Sequence, residues 1–357
     1  MKQNSLFYDR IGEQLFDIKI LAQSIGNEYD IGRVKSAELV EFGYEDFNVI
    51  VTTDKQEKYF LKVFNSSRTD GQCRQCIERA FIASQNGVPT PKVYKNKTNE
   101  LVTKLNLGFP VRASLLEYVN GKDFYNLKRK PTLSELDQIV EIAGCLNKID
   151  YKPDFIYDTW AISCFDKEFE KKCGLLDKDD LEIIEPIYRE IKKLNYESLP
   201  KGFVHGDMLT TNLMIDDKHQ IKVIDFSVSN WTARLNEIAV IASDICITDD
   251  VEESKTRIKR VFSQWCKNVG ATEFEIKSFP LLFAVASASK IMNGAAYEIE
   301  KGEKTQETQT HYKRGKFNLG LINNSKCKEK TNNGGKNHAP HKTFNRRNIY
   351  KADGENI

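Results

Sequence analysis

Residues 203–226, FVHGDMLTTNLMIDDKHQIKVIDF, gather side chains whose types and order suit one task. His205-Gly206-Asp207 is followed, after four intervening residues, by Asn212, and Asp225 closes the short apolar run at 221–224. One Asp and one Asn on a tight loop, with a second Asp at the end of a nearby strand, can hold one or two magnesium ions and orient a hydroxyl for attack on ATP. Magnesium takes a few hard oxygen ligands and keeps waters, which suits Asn212 and Asp225. Asp207 is left to accept the hydroxyl proton.

The pattern H-G-D-x-x-x-x-N followed by I-D-F resembles the catalytic and metal-binding segment of the aminoglycoside phosphotransferase, choline kinase and type II homoserine kinase superfamily. These are small-molecule kinases with a protein-kinase-like fold. The protein-kinase counterparts are H-R-D-x-x-x-x-N and D-F-G; here Gly206 replaces the Arg and Ser227 the final Gly. The resemblance implies ATP and Mg2+ as cofactors, Asp207 as the catalytic base, and Asn212 and Asp225 as metal ligands. It also implies an α+β, two-lobed protein-kinase-like fold. A mainly antiparallel-sheet N-lobe would span 1–113, a hinge 114–121 and a mainly helical C-lobe 122–322, followed by a basic, disordered tail over 323–357.

Positioning such a centre requires a nucleotide-holding sheet, and the first third of the chain has its signals. Leu15, Ile18, Ile20, Leu21 and Ile25 give a helical stripe, expected to lead into the sheet. From Glu38 the chain reads strand, turn, strand, turn, strand, with FNVIVTT and YFLKVF separated by the polar turn DKQEK. Gly43, at the first turn, would let backbone N–H groups approach phosphates. Asn48 matches the Asn that the resembled family carries before its second strand. Lys62 lies in an otherwise apolar strand and points either to solvent or into a cleft where an anion compensates it. By resemblance it contacts the α- and β-phosphates. The helix expected over 71–86 offers Glu78 to hold it and ends at Asn86-Gly87 before an extended V-P-x-P run. Further strands are expected at 92–94 and 100–105. The run ASLLEYV over 113–119 then resembles the family's hinge, with backbone groups near Glu117 and Tyr118 facing the adenine.

Beyond the hinge the signals turn helical. Thr132-Leu-Ser-Glu135 is a capping box opening a helix with Leu133, Leu136, Ile139, Val140, Ala143 and Leu146 on one face. Charged amphipathic helices follow over 160–196. A helix is expected from Leu235, and two more over 257–269 and 279–299; the last is rich in small residues and fits a tight helix contact. Only nine residues, 226–234, separate Asp225 from the helix at Leu235, and no A-P-E follows, which disfavours a protein acceptor.

The bulk properties bound the rest. The 357 residues, 40% of them hydrophobic, are enough for two modest domains or one large one. Of the +2 formal charge, residues 323–357 carry eight Lys/Arg against three Asp/Glu, a net +5, which leaves about −3 for the body and no nucleic-acid footprint. Eight cysteines form no disulfide framework, and Cys73-x-x-Cys76 lacks a second ligand pair, so reduced thiols in a cytoplasmic protein are expected. No apolar run approaches membrane-spanning length and the N-terminus has no apolar leader core, so no membrane partner is expected. The expected activity is transfer of the γ-phosphoryl group of ATP to a hydroxyl of a small molecule: an aminoglycoside, homoserine, choline or similar. A silent ATP-binding protein and a protein kinase are the alternatives. Asp244, Asp249, Asp250, Glu252 and Glu253 form either a solvated acidic loop or the lining of an acidic pocket, and Trp160 and Trp231 could form an aromatic cage.

Overall fold

The computed structural model describes residues 10, 17–40, 46–302 and 305–331, with the backbone alone for 307 and 323–331. Helix α1 (Ile18–Asn27), capped by the Asp17 side chain, precedes strands β1 (Val34–Leu39), β2 (Phe47–Thr53) and β3 (Lys58–Val63). Helix α2 (Asp70–Gln85) follows, opened by a Thr69/Gln72 capping box, and then β4 (Thr103–Asn106) and β5 (Pro110–Glu117). The five strands form one antiparallel sheet in the order β1-β2-β3-β5-β4. Along β2 burial alternates, with Phe47, Val49 and Val51 inward. These residues, Leu61 and Val63 of β3, and Leu21, Ala22 and Ile25 of α1 make the upper core. Because successive side chains leave a strand on opposite faces, Lys62 must point away from that core. Register places Lys62 beside Asn48 on one neighbour and Ser114 on the other.

The lower lobe begins with β6 (Gly121–Asp123) and α3 (Leu133–Leu146), whose Thr132/Glu135 capping box forms as expected. Next come α4 (Phe165–Lys172), α5 (Lys178–Lys193) and β7 (Lys201–Val204). Strands β8 (Leu213–Asp216) and β9 (Ile221–Val223) form a hairpin against β6, and β10 (Asn230–Ala233) pairs antiparallel with β7. Helices α6 (Leu235–Asp244), α7 (Val251–Val269), α8 (Glu273–Lys301) and α9 (Gln306–Thr331) complete the fold. Fully buried Trp265 of α7 donates its indole N–H to Asn147 Oδ1 at 2.9 Å, and Asn147 Nδ2 donates to the Phe203 carbonyl at 3.1 Å. The end of α3 is thereby tied to the strand that leads into His205.

Several expectations change here. Residues 114–117 belong to β5, so the connection between the lobes is the short segment 118–120. Leu133 and Ile20, placed on apolar stripes, are exposed. Helix α7 starts at Val251 and α8 at Glu273, earlier than periodicity suggested, each at a capped N-terminus: Asp250 for α7 and a Thr272/Glu275 capping box for α8. Helix α8 is long and apolar enough to cross a membrane by length and composition, contrary to the sequence reading, and 83% of its apolar window is buried inside the protein. Helix α9 continues to Thr331, so the tail boundary at 323 falls within a helix; residues 332–357 lie outside the described residues.

The tight helix contact expected of α8 is made with α9. A methyl group added at Gly315 would meet the Ser287 carbonyl oxygen at 2.5 Å, and one at Gly294 the Thr308 carbonyl oxygen at 2.9 Å. Backbone cannot yield as a flexible side chain does. Gly315→Ala should therefore destabilise the protein by about 1–3 kcal/mol. Urea unfolding checks this, and an unchanged midpoint would contradict the contact.

Candidate active site

The loop after β7 carries His205, Gly206 and Asp207, and its backbone is held from below. Glu237 of α6, fully buried, accepts the His205 N–H at 2.6 Å and the Gly206 N–H at 3.3 Å. Burial pushes its carboxyl up to about 7. Ser229 Oγ donates to the His205 carbonyl at 3.2 Å. Gly206 has φ of +81°, a conformation an arginine would adopt only under strain, which accounts for Gly in place of the protein-kinase Arg. His205 is wholly buried, with its ring edge-on to Phe226. Its Nδ1 accepts the Asp207 N–H at 3.2 Å, so Nε2 carries the proton and donates to the Ile224 carbonyl at 3.1 Å. Burial lowers its pKa to about 4 against the pull of Asp225. A neutral imidazole thus stitches the Asp207 loop to the strand before Asp225.

Asp207 and Asn212 are in direct contact. Asn212 Nδ2 donates to Asp207 Oδ2 at 2.6 Å and to the Asp207 carbonyl at 3.0 Å. Among the described residues no hydrogen bond reaches the Asn212 amide oxygen. The Asn212 carbonyl accepts the Ile224 N–H at 3.0 Å, which sets Asn212 beside Asp225. Asp225 takes the left-handed conformation, φ +63°, tolerable for Asp, and its side chain is 45% exposed at the junction of the lobes. One unclaimed amide oxygen and one open carboxylate are hard donors of the kind magnesium takes, with room for waters and phosphate oxygens. Burial, with Asp158 and Asp225 close by, raises Asp207 to about 7 against the Asn212 hydrogen bond. Lys62 holds Asp225 below the usual carboxylate range.

Lys62 reaches from β3 to Asp225 Oδ1 at 3.7 Å and to Asp46 Oδ2 at 3.2 Å. Burial lowers its pKa, but Asp225 and Asp46 outweigh that and hold it raised. Asp46 is buried and also accepts Arg68 Nε at 3.0 Å and the Asn65 N–H at 3.0 Å. Glu78 is therefore not the carboxylate that holds Lys62. Cys76 is the α2 residue that acts on Lys62, and it lies close to Arg68. Residues two apart on a helix point roughly 200° away from each other, so a helix presenting Cys76 to the cleft turns Glu78 aside. Its neighbour Arg79, fully buried, instead crosses to the lower lobe and donates to the Ser229 and Asp154 carbonyls at 2.8 and 2.7 Å.

The remaining sequence candidates divide. Asn48 lies next to Lys62 in register, with a buried amide oxygen that no hydrogen bond reaches. Gly43 lies outside the described residues. Glu117 gives its N–H to the Lys92 carbonyl at 2.8 Å, and its carboxylate takes the Lys92 N–H at 3.0 Å and Lys222 at 2.5 Å. Its N–H and carboxylate thus secure the hinge strand. Tyr118 begins the connecting segment, under the Lys58 ammonium. Cys73 and Cys76 are both buried, and burial raises both thiols. The acidic cluster disperses: Asp244 is buried among cations, while Asp250, Glu252 and Glu253 cap and start α7. Trp160 packs on His311, and Trp231 carries the Lys152 ammonium over its ring, so the two indoles have separate partners. Asp46, Asp158 and Glu237 were missed; each is an acid whose role depends on what packs against it.

The model of the APH phosphotransferase enzyme family matches residues 36–265, more than half of the chain. The chain belongs to this family. Homoserine kinase of Methylobacillus flagellatus is 23% identical over 261 residues, covering 72% of this chain and 79% of that protein. Among solved structures, spectinomycin phosphotransferase APH(9)-Ia, in complex with ADP and spectinomycin, matches with a TM-score of 0.61 at 10% identity, over 87% of this chain and 99% of that one. Amicoumacin kinase, in complex with AMP-PNP and Ca2+, matches with a TM-score of 0.61 at 12% identity, over 85% and 93%. The two-lobed fold expected from the sequence is shared with these kinases, and this phosphotransferase is a small-molecule kinase.

Asp46→Asn should weaken binding of an ATP analogue about tenfold by loosening Lys62. Glu78→Gln should leave it within about twofold, as surface changes usually do. Calorimetric titration of both variants checks the pair, and the opposite ranking would return Glu78 to the site.

Proposed function

We propose that this phosphotransferase moves the γ-phosphoryl group of ATP to a hydroxyl of a small molecule, with Asp207 as the base. The observation that carries this reading is the contact of Asp207 with Asn212, set beside the Lys62–Asp225 pair across the junction of the lobes. ATP enters that junction. Lys62, held by Asp46, orients the α- and β-phosphates, with Asn48 alongside. The main chain of 118–120 completes the nucleotide's surroundings. Asn212 and Asp225 hold magnesium, which supplies charge neutralisation at the phosphate oxygens. Asp207, kept in place by Asn212, positions the acceptor hydroxyl in line and takes its proton as the new O–P bond forms and the bond from the γ-phosphorus to the bridging oxygen breaks, releasing ADP. The raised proton affinity of Asp207 suits that task.

Homoserine is the acceptor to test first, because relatives similar along most of the chain are homoserine kinases. A polycationic aminoglycoside finds less support, since the acidic cluster is split between a buried network and a helix start. A choline cage finds less too, with Trp231 already under a lysine. The short path from Asp225 through β10 to α6 leaves no activation segment for a protein acceptor. An ATP-dependent kinase whose described cysteines are all free fits the cytoplasm.

A coupled assay of ADP release with L-homoserine and magnesium tests the reading. Asp207→Asn should lower kcat by about 10²–10⁴-fold with the fold intact. Asp225→Ala and chelation of magnesium should each abolish turnover; near-normal activity in Asp225→Ala would remove the metal assignment.

A further inference from the structure

A set of charged side chains without a task in phosphoryl transfer lies just behind the catalytic loop. Asp244, the last residue of α6, is 1% exposed. Its carboxylate accepts the Thr210 N–H at 3.4 Å, from between Asp207 and Asn212, and pairs with Arg314 of α9. Lys290 of α8 lies 3.9 Å from the same carboxylate and donates to Ser243 O and Oγ at 2.9 and 2.8 Å. Lys130, just ahead of α3, donates to the Asp244 carbonyl at 3.0 Å. Lys290 and Arg314 thus face the Asp244 carboxylate and Lys130 its main-chain carbonyl, so three cations from three elements surround one buried carboxylate.

That imbalance is out of keeping with the rest of the lobe. Arg234 is matched by Glu275, Arg129 by Glu135 and Lys316 by Asp180, each through a close contact. Buried charge is retained where something compensates it. Burial lowers Lys130 and Lys290 to about 8, and the cations hold Asp244 well below the carboxylate range, so all stay charged at neutral pH. Arg257 and His311 add further positive field, to Lys130 and Asp244 respectively. Asp207, the proposed base, also acts on Lys290, which sets the cluster close to the reacting centre. Lys130 and Arg314 are only half-buried, which leaves the cluster approachable.

We propose that Lys130, Lys290 and Arg314, organised by Asp244, form the acceptor subsite of this kinase and bind a carboxylate of the acceptor beside Asp207. The proposal rests on the kinase reading above and narrows the acceptor to hydroxy acids. The hydrogen bond from Thr210 to Asp244 links this subsite to the loop that carries Asp207.

The full chain is titrated calorimetrically with L-homoserine and with 2-aminobutane-1,4-diol, which keeps the amine and the terminal hydroxyl but lacks the carboxylate. Homoserine should bind at least about tenfold more tightly than the diol. Lys130→Met and Lys290→Met should each weaken homoserine by about tenfold or more and shrink that preference, while an ATP analogue binds as before. Wild type binding both compounds alike, or neither, overturns the subsite. So do folded variants that retain homoserine or lose both compounds equally. Half-buried Lys130 decides if Lys290→Met does not fold. ADP release, read separately, judges the kinase reading: homoserine bound with this preference but never phosphorylated overturns that reading alone. Turnover of carboxylate-free acceptors only overturns the subsite alone.

Discussion

One ammonium shared by two carboxylates is the constraint on which the centre depends. Lys62 hangs from the upper sheet and reaches Asp46 in its own lobe and Asp225 in the other. A buried lysine cannot stay charged without such partners, and Lys62 in turn favours the ionised form of Asp225. The pair therefore ties the two lobes together and keeps charged the one carboxylate proposed to hold metal. Arg79 reinforces the same junction by giving its guanidinium to carbonyls of the lower lobe.

Beneath that junction, precision comes from hydrogen bonds that leave few choices. The Asp207 loop has a left-handed glycine, a neutral histidine whose two nitrogens have different partners, and a buried Glu237 gripping two N–H groups. The Glu237–His205 contact is fully buried, and losing a partner there would leave a polar group unsatisfied. A loop held in this way can place a carboxylate to within the tolerance that positioning chemistry requires.

The last two helices bring positive charge up to the end of α6. Close approach of α8 and α9 at Gly294 and Gly315 brings Lys290 and Arg314 to the same carboxylate. Neither helix offers that residue alone; the charge imbalance exists only because they pack.

The sequence by itself determined whatever depends on short-range chemistry. Alternation marked β2 and β3, the T-x-x-E pattern marked the start of α3, and the spacing of Asp207, Asn212 and Asp225 marked the centre. The same T-x-x-E signal stood at Thr272–Glu275 and would have found the start of α8. Helix α9 was not legible, because its mostly polar sequence has no strong stripe and its inner face mixes Leu319 and Leu321 with Gly315, Asn318 and ion pairs to Asp180 and Asp244. Only the tertiary structure decided that Asp46 rather than Glu78 meets Lys62, since that turns on the rotation of α2 against the sheet. It likewise decided that Asp244 is buried among cations instead of solvated with its acidic neighbours. Local propensity acts over a few residues, whereas the partner of a charge is chosen by elements that may lie a hundred residues away.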